Sequence, residues 1–207
     1  MIIKALPRIW EGNSAFIIGG GPSIEGMDLS PIHDKRVIGV NNAYQLGPWV
    51  DVCYFGDYRW YYDKNWKGWH RDKLLHFAGM KITRWTKLEK EPGILVLKKG
   101  KNLGIDLRPD HIAWNRSSGG SAINLAVHFG VKKIILLGFD MKMKEGKHNY
   151  HDDHDQSKKP PDTVYKRYLN PFSIIKKELD ELNIECLNAT PDSAIEVFKK
   201  VKLEDIV

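Results

Sequence analysis

The sequence predicts a single α/β domain: a Rossmann-like, mostly parallel sheet flanked by helices. Three observations lead there. Short apolar runs at Ala15 to Ile18, Arg36 to Val40 and Val50 to Phe55 each end in Gly, Asn or Asp, with few residues between them. That rhythm suits a sheet whose polar residues gather along one edge. The first run passes straight into Gly19-Gly20-Gly21-Pro22-Ser23. A turn of this kind, at the carboxyl end of a first strand, is where open α/β sheets bind nucleotides. Finally, Ala122, Leu125, Ala126 and Phe129 make one apolar helical face, and the apolar run Lys133 to Leu137 follows closely, giving half of a parallel crossover.

Taken in order, residues 1–13 are a lead-in and Ala15 to Ile18 is the first strand. Asp28 to Ile32 carries turn chemistry and forms at most a short helix. Arg36 to Val40 is the second strand, closed by Asn41-Asn42, and Val50 to Phe55 the third, closed by Gly56-Asp57. Residues 58–93 read as an irregular, aromatic-rich insertion holding Trp60, Trp66, Trp69 and Trp85 with Tyr58, Tyr61 and Tyr62. These rings either pack the insertion onto the sheet or form an acceptor-binding wall, since aromatics stack on sugars and bases. Ile94 to Leu97 is a strand and Lys98 to Pro109 a loop. Ser118 is the expected N-cap of the helix that Gly130 stops. After the strand Lys133 to Leu137 comes a polar loop, residues 141–162, expected to act as a lid. Helices follow at Thr163 to Leu169 and from Pro171 to about Leu182, then a last strand, Ile184 to Leu187. Thr190-Pro191 is expected to cap a final helix to about Lys200.

Length and composition narrow the class. The 207 residues, 42% hydrophobic and 28% charged, suffice for one domain with a real core. No apolar run approaches the roughly 18 residues of a membrane helix. The opening residues, MIIKALPRIW, lack a long apolar core and a small-residue cleavage site, so no signal peptide is expected. Cys53 and Cys186 sit in apolar runs and read as reduced core thiols, which points to the cytoplasm. The net charge of +6 suits a phosphate-bearing ligand and also permits weak nucleic-acid contact.

Chemistry concentrates at four places. In Gly20, Gly21, Pro22 and Ser23, glycines let the backbone turn sharply with N–H groups expected to face an anion; the plainer reading is a tight strand exit. Asn41 and Asp57 follow successive strands, in register to meet a ligand's nucleoside at the sheet edge; each alone is an ordinary turn residue. Ser118 and Gly119 open a helix whose N-terminus is suited to phosphate. In the loop K-H-N-Y-H-D-D-H-D, His148, His151 and His154 interleave with Asp152, Asp153 and Asp155. One of these histidines can serve as a general base, or the cluster can hold a divalent metal, or it is a solvated loop.

The ordered set GGGPS, VNNAY, SSGGSAINLA, KKIILLGFDM and a His-rich loop resembles the bacterial family-42 sialyltransferases. It equally resembles the related 6-hydroxymethylpterin diphosphokinase-like family, which includes motility-accessory glycosyltransferases and phage-encoded members. The resemblance spans residue 14 to the end of the chain. It implies a transferase, glycosyltransferase-like, taking a sugar from a nucleotide-activated, CMP-linked donor to a hydroxyl acceptor. It places Gly20, Gly21, Pro22, Ser23, Asn41, Ser118 and Gly119 at the nucleotide and makes His148, His151 or His154 the base. Two positions depart from the sialyltransferase pattern: Gly20 stands where that family has Asn, and its third-strand Asn falls here at Gly56 or Asp57. An Asp there is closer to the diphosphokinase-like group, whose alternative reaction is Mg²⁺-dependent pyrophosphoryl transfer from ATP. A non-catalytic nucleotide-binding phage module is the third reading.

Overall fold

Parallel pairing organises the whole chain. The structure, a computed structural model, describes residues 2–62, 70–151 and 162–207. Among these, eight strands form one sheet: β1 (Ser14–Ile18), β2 (Arg36–Val40), β3 (Val52–Phe55), β4 (Met80–Thr83), β5 (Ile94–Val96), β8 (Lys133–Leu137), β9 (Glu185–Asn188) and β10 (Lys199–Lys200). The spatial order is β10-β9-β8-β1-β2-β3-β4-β5, and every pair is parallel. Two further short strands, β6 (Lys98–Lys99) and β7 (His111–Ile112), pair apart from it. The helices are α1 (Tyr58–Tyr62), α2 (His70–Leu75), α3 (Ser118–His128), α4 (Asp162–Leu169) and α5 (Pro171–Glu181). This is the α/β, Rossmann-like architecture that the sequence predicts. None of the described helices is long and apolar enough to cross a membrane.

The strand residues alternate between two cores, as the period of a pleated strand requires. Ala15 and Ile17 of β1 face a core completed by α3, α5 and the lead-in residues Leu6 and Trp10. Phe16 and Ile18 face a second core holding Ile24, Tyr44, Trp60, Leu74 and Leu203. Both faces are covered, which is why β1, β3 and β8 read as nearly continuous apolar runs. On the second face the links from β1 to β2 and from β2 to β3 carry no α-helix. Single 3₁₀ turns at Pro22–Gly26, Ser30–Ile32 and Asn41–Leu46 cover it instead.

Four elements depart from expectation, the first being β6, which opens the segment Lys98 to Pro109 expected to be a loop and pairs with β7. β4 is a full member of the sheet, inside the segment expected to be an irregular insertion; its short, mixed sequence Met-Lys-Ile-Thr hides it. The cap of α3 is Ser117, not Ser118: the Ser117 hydroxyl oxygen accepts from the Gly120 N–H at 3.1 Å. No α-helix follows Thr190; residues 191–198 form turns and bends and β10 pairs with β9. Thr190 spends its hydroxyl oxygen on the Phe139 N–H at 3.0 Å, and the Ser193 hydroxyl donates to the Phe139 carbonyl at 2.6 Å. Those side chains satisfy the buried backbone where β8 ends, so they are not available to start a helix.

Candidate functional site

The strand order reverses direction between β1 and β8, so the crevice above their carboxyl ends is the switch point where this architecture binds ligands. A cleft of about 590 Å³ opens there. It runs from the β8 exit across β1, β2 and β3 to the residues after β4. Gly20, Gly21, Asn41, Asp57, Ser118, Gly119 and His148 all line it. Residues far apart in sequence meet because parallel strands deliver every exit loop to one edge.

The glycine turn is used differently from expectation. The Gly19 N–H donates to the Leu137 carbonyl at 2.8 Å and the Gly21 N–H to the Gly138 carbonyl at 2.9 Å, so two of the three amides extend the β1–β8 ladder. Gly21 has ordinary extended backbone, φ −67°. Its need for glycine is steric: a Cβ there would stand 1.9 Å from Asp140 Oδ2. Behind the turn, the Asp140 carboxylate accepts from the Ser23 hydroxyl at 2.7 Å and from the Ser23 N–H at 3.2 Å. Burial raises the Asp140 pKa, and the Ser23 bonds oppose that rise. Pro22 and Ser23 therefore lie off the cleft wall, on the side of a second groove that reaches Leu203. Gly20 is the member of the turn that meets the late loop, with the Asn149 side chain 3.0 Å from where its Cβ would be.

Asn41 carries the clearest mark of a binding residue. Its backbone is left-handed, φ +52°, and its side-chain oxygen is buried with no hydrogen-bond partner among the described residues. Strained backbone and an unsatisfied buried acceptor each cost stability, and both concentrate at functional sites. Across the cleft, the first amides of α3, at Ser118 and Gly119, have no intrahelical partner by construction. The Ser118 hydroxyl oxygen accepts from the Gly56 N–H at 3.2 Å, tying α3 to the β3 exit. Asn115 and Arg116 are both left-handed (φ +49° and +56°), and Asn115 is fully buried with bonds to Gly104 and Gly120 that hold the pair.

The histidines separate. His148 lines the cleft, half-buried, and desolvation lowers its pKa, so it is neutral at pH 7. The Asn149 amide, oriented to satisfy its neighbours, donates to the Gly20 carbonyl at 3.3 Å and accepts from His148 Nε2 at 3.1 Å. His151 turns away, its Nδ1 3.5 Å from the Asn42 side-chain nitrogen. His154, Asp152, Asp153 and Asp155 lie outside the described residues, as do Trp66 and Trp69. Among the described residues no three His, Cys, Asp or Glu side chains converge on a metal position. Asp57 is the one acidic side chain among the described residues lining the cleft, and its Oδ1 accepts from the Arg59 N–H at 2.9 Å. One carboxylate is a poor match to a magnesium cage, though magnesium also binds through one carboxylate plus substrate phosphates.

Sequence reading missed the cations and rings of this cleft: Arg59, Arg84, Arg116 and Arg167, with Trp114, Tyr165 and Tyr168. The signal was present, since Arg116 immediately precedes Ser117-Ser118 and Arg84 immediately follows β4. Trp60 and Trp85 of the aromatic segment both line the cleft. Trp60 packs, buried, stacked 4.2 Å from His70 and donating from its indole nitrogen to the Asn42 side chain at 2.6 Å. Trp85 is half-buried, its indole N–H donating to the Gly56 carbonyl. Both cysteines are free and buried, and burial raises their thiol pKa values.

No protein-family model matches the chain, and no curated protein matches it in sequence. Solved structures do resemble it. One is the sialyltransferase CstII from Campylobacter jejuni in complex with a substrate analogue, cytidine-5'-monophosphate: TM-score 0.57, 16% identity, 91% of this chain and 84% of that chain covered. Another is the sialyltransferase CST-II in complex with a trisaccharide acceptor and CMP: TM-score 0.53, 16% identity, 91% and 86% covered. Likeness at this identity is a likeness of fold.

Proposed function

We propose that this protein is a glycosyltransferase-like enzyme that takes a sugar from a nucleotide-activated, CMP-linked donor and places it on a hydroxyl acceptor. The observation that carries the reading is Asn41: a strained residue with an orphaned buried acceptor, in the wall of a cleft at the switch point of the sheet. A nucleoside N–H or O–H supplies the hydrogen bond that Asn41 lacks. The phosphate lies at the N-terminus of α3, against the Ser118 and Gly119 amides and the Arg116 guanidinium, with Gly20 allowing close approach. Structural likeness to CMP-bound sialyltransferases supports this class of donor.

His148 is the base in this reading. It is the loop histidine, among those described, that lines the cleft, and it is neutral at pH 7. The acceptor oxygen bonds to the anomeric carbon, the bond from that carbon to the phosphate oxygen breaks, and the acceptor proton passes to His148. Its other task, orientation, falls to Asn149. Among the described residues four arginines and one carboxylate line the cleft, and Arg116 supplies counter-charge to the leaving phosphate from the chain itself. The reading covers residues 1–207 as one nucleotide-binding domain. Calorimetric titration with CMP, UDP, GDP and ATP tests it: CMP is expected to bind most tightly, and equal binding of all four, or none, would overturn it.

A further inference from the structure

Asn115 and Arg116 join β7 to α3, and both have left-handed backbone, φ +49° and +56°. Asparagine visits that region readily and arginine does not, so two in succession persist only where the surroundings over-determine them. Asn115 supplies the constraint. It is fully buried, and its side-chain oxygen accepts from the Gly104 N–H at 2.7 Å. Its side-chain nitrogen donates to the Gly104 carbonyl at 2.9 Å and to the Gly120 carbonyl at 3.1 Å. Both amide hydrogens are thus used, and a reversed amide would set its oxygen against two carbonyls. The Asn115 backbone extends the β6–β7 ladder, its N–H donating to the Asn102 carbonyl at 3.0 Å. One side chain therefore fastens the segment 98–116 to the first turn of α3.

The fastening has a second layer. Gly104 is left-handed too, φ +86°, and a Cβ there would overlap the Glu178 carboxylate. Glu178, on α5, accepts from the Ile105 N–H and, at 3.3 Å, from Lys101 Nζ. What this assembly holds is Arg116, the first residue beyond the ladder and the last before the Ser117 cap. Arg116 is half-buried and lines the cleft, whereas Asn115 does not. The Arg116 guanidinium has no carboxylate partner among the described residues, while Arg8, Arg71 and Arg108 each have one. Its place in the cleft is set by its backbone. Resting on the donor reading above, we infer that Asn115 is a positioning residue for the donor phosphate. It acts by holding Arg116 in the left-handed geometry that delivers the guanidinium to the cleft.

Calorimetric titration with CMP and with cytidine tests this, because the ratio of the two affinities isolates the phosphate. Wild type is expected to bind CMP at least about tenfold more tightly than cytidine, the scale of one hydrogen bond to a charged group. Asn115→Gly keeps the left-handed backbone accessible and removes the three side-chain bonds. It should lose most of that ratio while cytidine affinity stays within about twofold, a split that general damage to the fold does not produce. Arg116→Gln should lower the ratio to the same extent, and the double variant no further than either single one, because residues acting as a unit are not additive. Gly104→Ala disturbs the same clamp from the Glu178 side and gives a second route if Asn115→Gly does not fold; the same split is expected. A wild-type ratio in either clamp variant would overturn the inference. So would loss of cytidine affinity in both, or additive losses in the double variant. If wild type prefers another nucleotide, the CMP reading fails, but the same comparison of that nucleotide with its nucleoside still decides this one. Binding of no nucleotide would overturn both.

Discussion

The backbone N–H of Tyr150 donates to the carbonyl oxygen of Gly20 at 3.1 Å. One hydrogen bond thereby joins the glycine turn that ends β1 to the histidine-bearing loop that follows β8. Asn149, between His148 and Tyr150 in sequence, bridges the same Gly20 carbonyl and the His148 ring. The position of the proposed base is thus set by the turn proposed to lie against the donor.

His148→Ala is expected to lower kcat by about 10²- to 10⁴-fold, the usual contribution of a general base, with CMP affinity nearly unchanged. His151→Ala should leave kcat within about threefold, because that ring faces Asn42 and does not line the cleft. Steady-state kinetics of the two variants decides between them. A larger loss in His151→Ala would move the base to the other ring.

Desolvation lowers the His148 pKa, which makes a statement about pH. The base works unprotonated, so the rate falls as pH drops through the His148 pKa. The acid limb of the kcat profile should therefore lie below the ordinary histidine value of about 6.5. Asn149→Ala, which removes the Nε2 partner, should lower kcat more than it raises KM for the donor. An acid limb at or above 6.5 would contradict the assignment.

Gly21→Ala is expected to destabilise the fold. Its methyl would overlap the Asp140 carboxylate and stand 2.6 Å from the Gly138 carbonyl oxygen, which is backbone and cannot turn away. Overpacking of this kind costs about 1–3 kcal/mol, or roughly 2–12 °C in Tm for a chain of this size. Gly20→Ala meets only the Asn149 side chain and should lower Tm much less. Thermal unfolding of both variants measures the difference.

Much of this was legible in the chain. β1, β2, β3 and β8 announce themselves because burial on both faces leaves them almost wholly apolar, β9 is read from Ile184, Cys186 and Leu187, and Gly130 stops α3 as read, with φ +87°. β4 was hidden because its first two residues, Met80 and Lys81, are only half-buried and its sequence mixes polar with apolar. With β4 unread, Arg84 and Trp85 had no strand to place them at the sheet edge. Thr190-Pro191 carries a helix signal, but the hydroxyl bonds to the Phe139 amide instead. Gly20 and Asn41 follow strands recognised in sequence and reach the cleft. Ser23 follows one too, yet its hydroxyl points back to Asp140, a partner that local sequence does not reveal.

Whether magnesium takes part is decided by chelation. Among the described residues four arginines line the cleft against one carboxylate, so CMP binding and transfer are expected to persist unchanged in EDTA. Loss of both in EDTA, restored by Mg²⁺, would favour the pyrophosphokinase alternative and put Asp57 at the metal.

The most direct measurement concerns Asn41. Asn41→Gly keeps the left-handed backbone at no steric cost and removes the orphaned oxygen. Without ligand, Tm should hold or rise, since a buried unsatisfied acceptor is lost. CMP affinity should fall about tenfold, within the roughly 1–3 kcal/mol that such a buried group is worth once paired. Stability preserved with binding lost is the expected result. Wild-type CMP affinity in Asn41→Gly, or a Tm loss with unchanged binding, would contradict a nucleotide in this cleft.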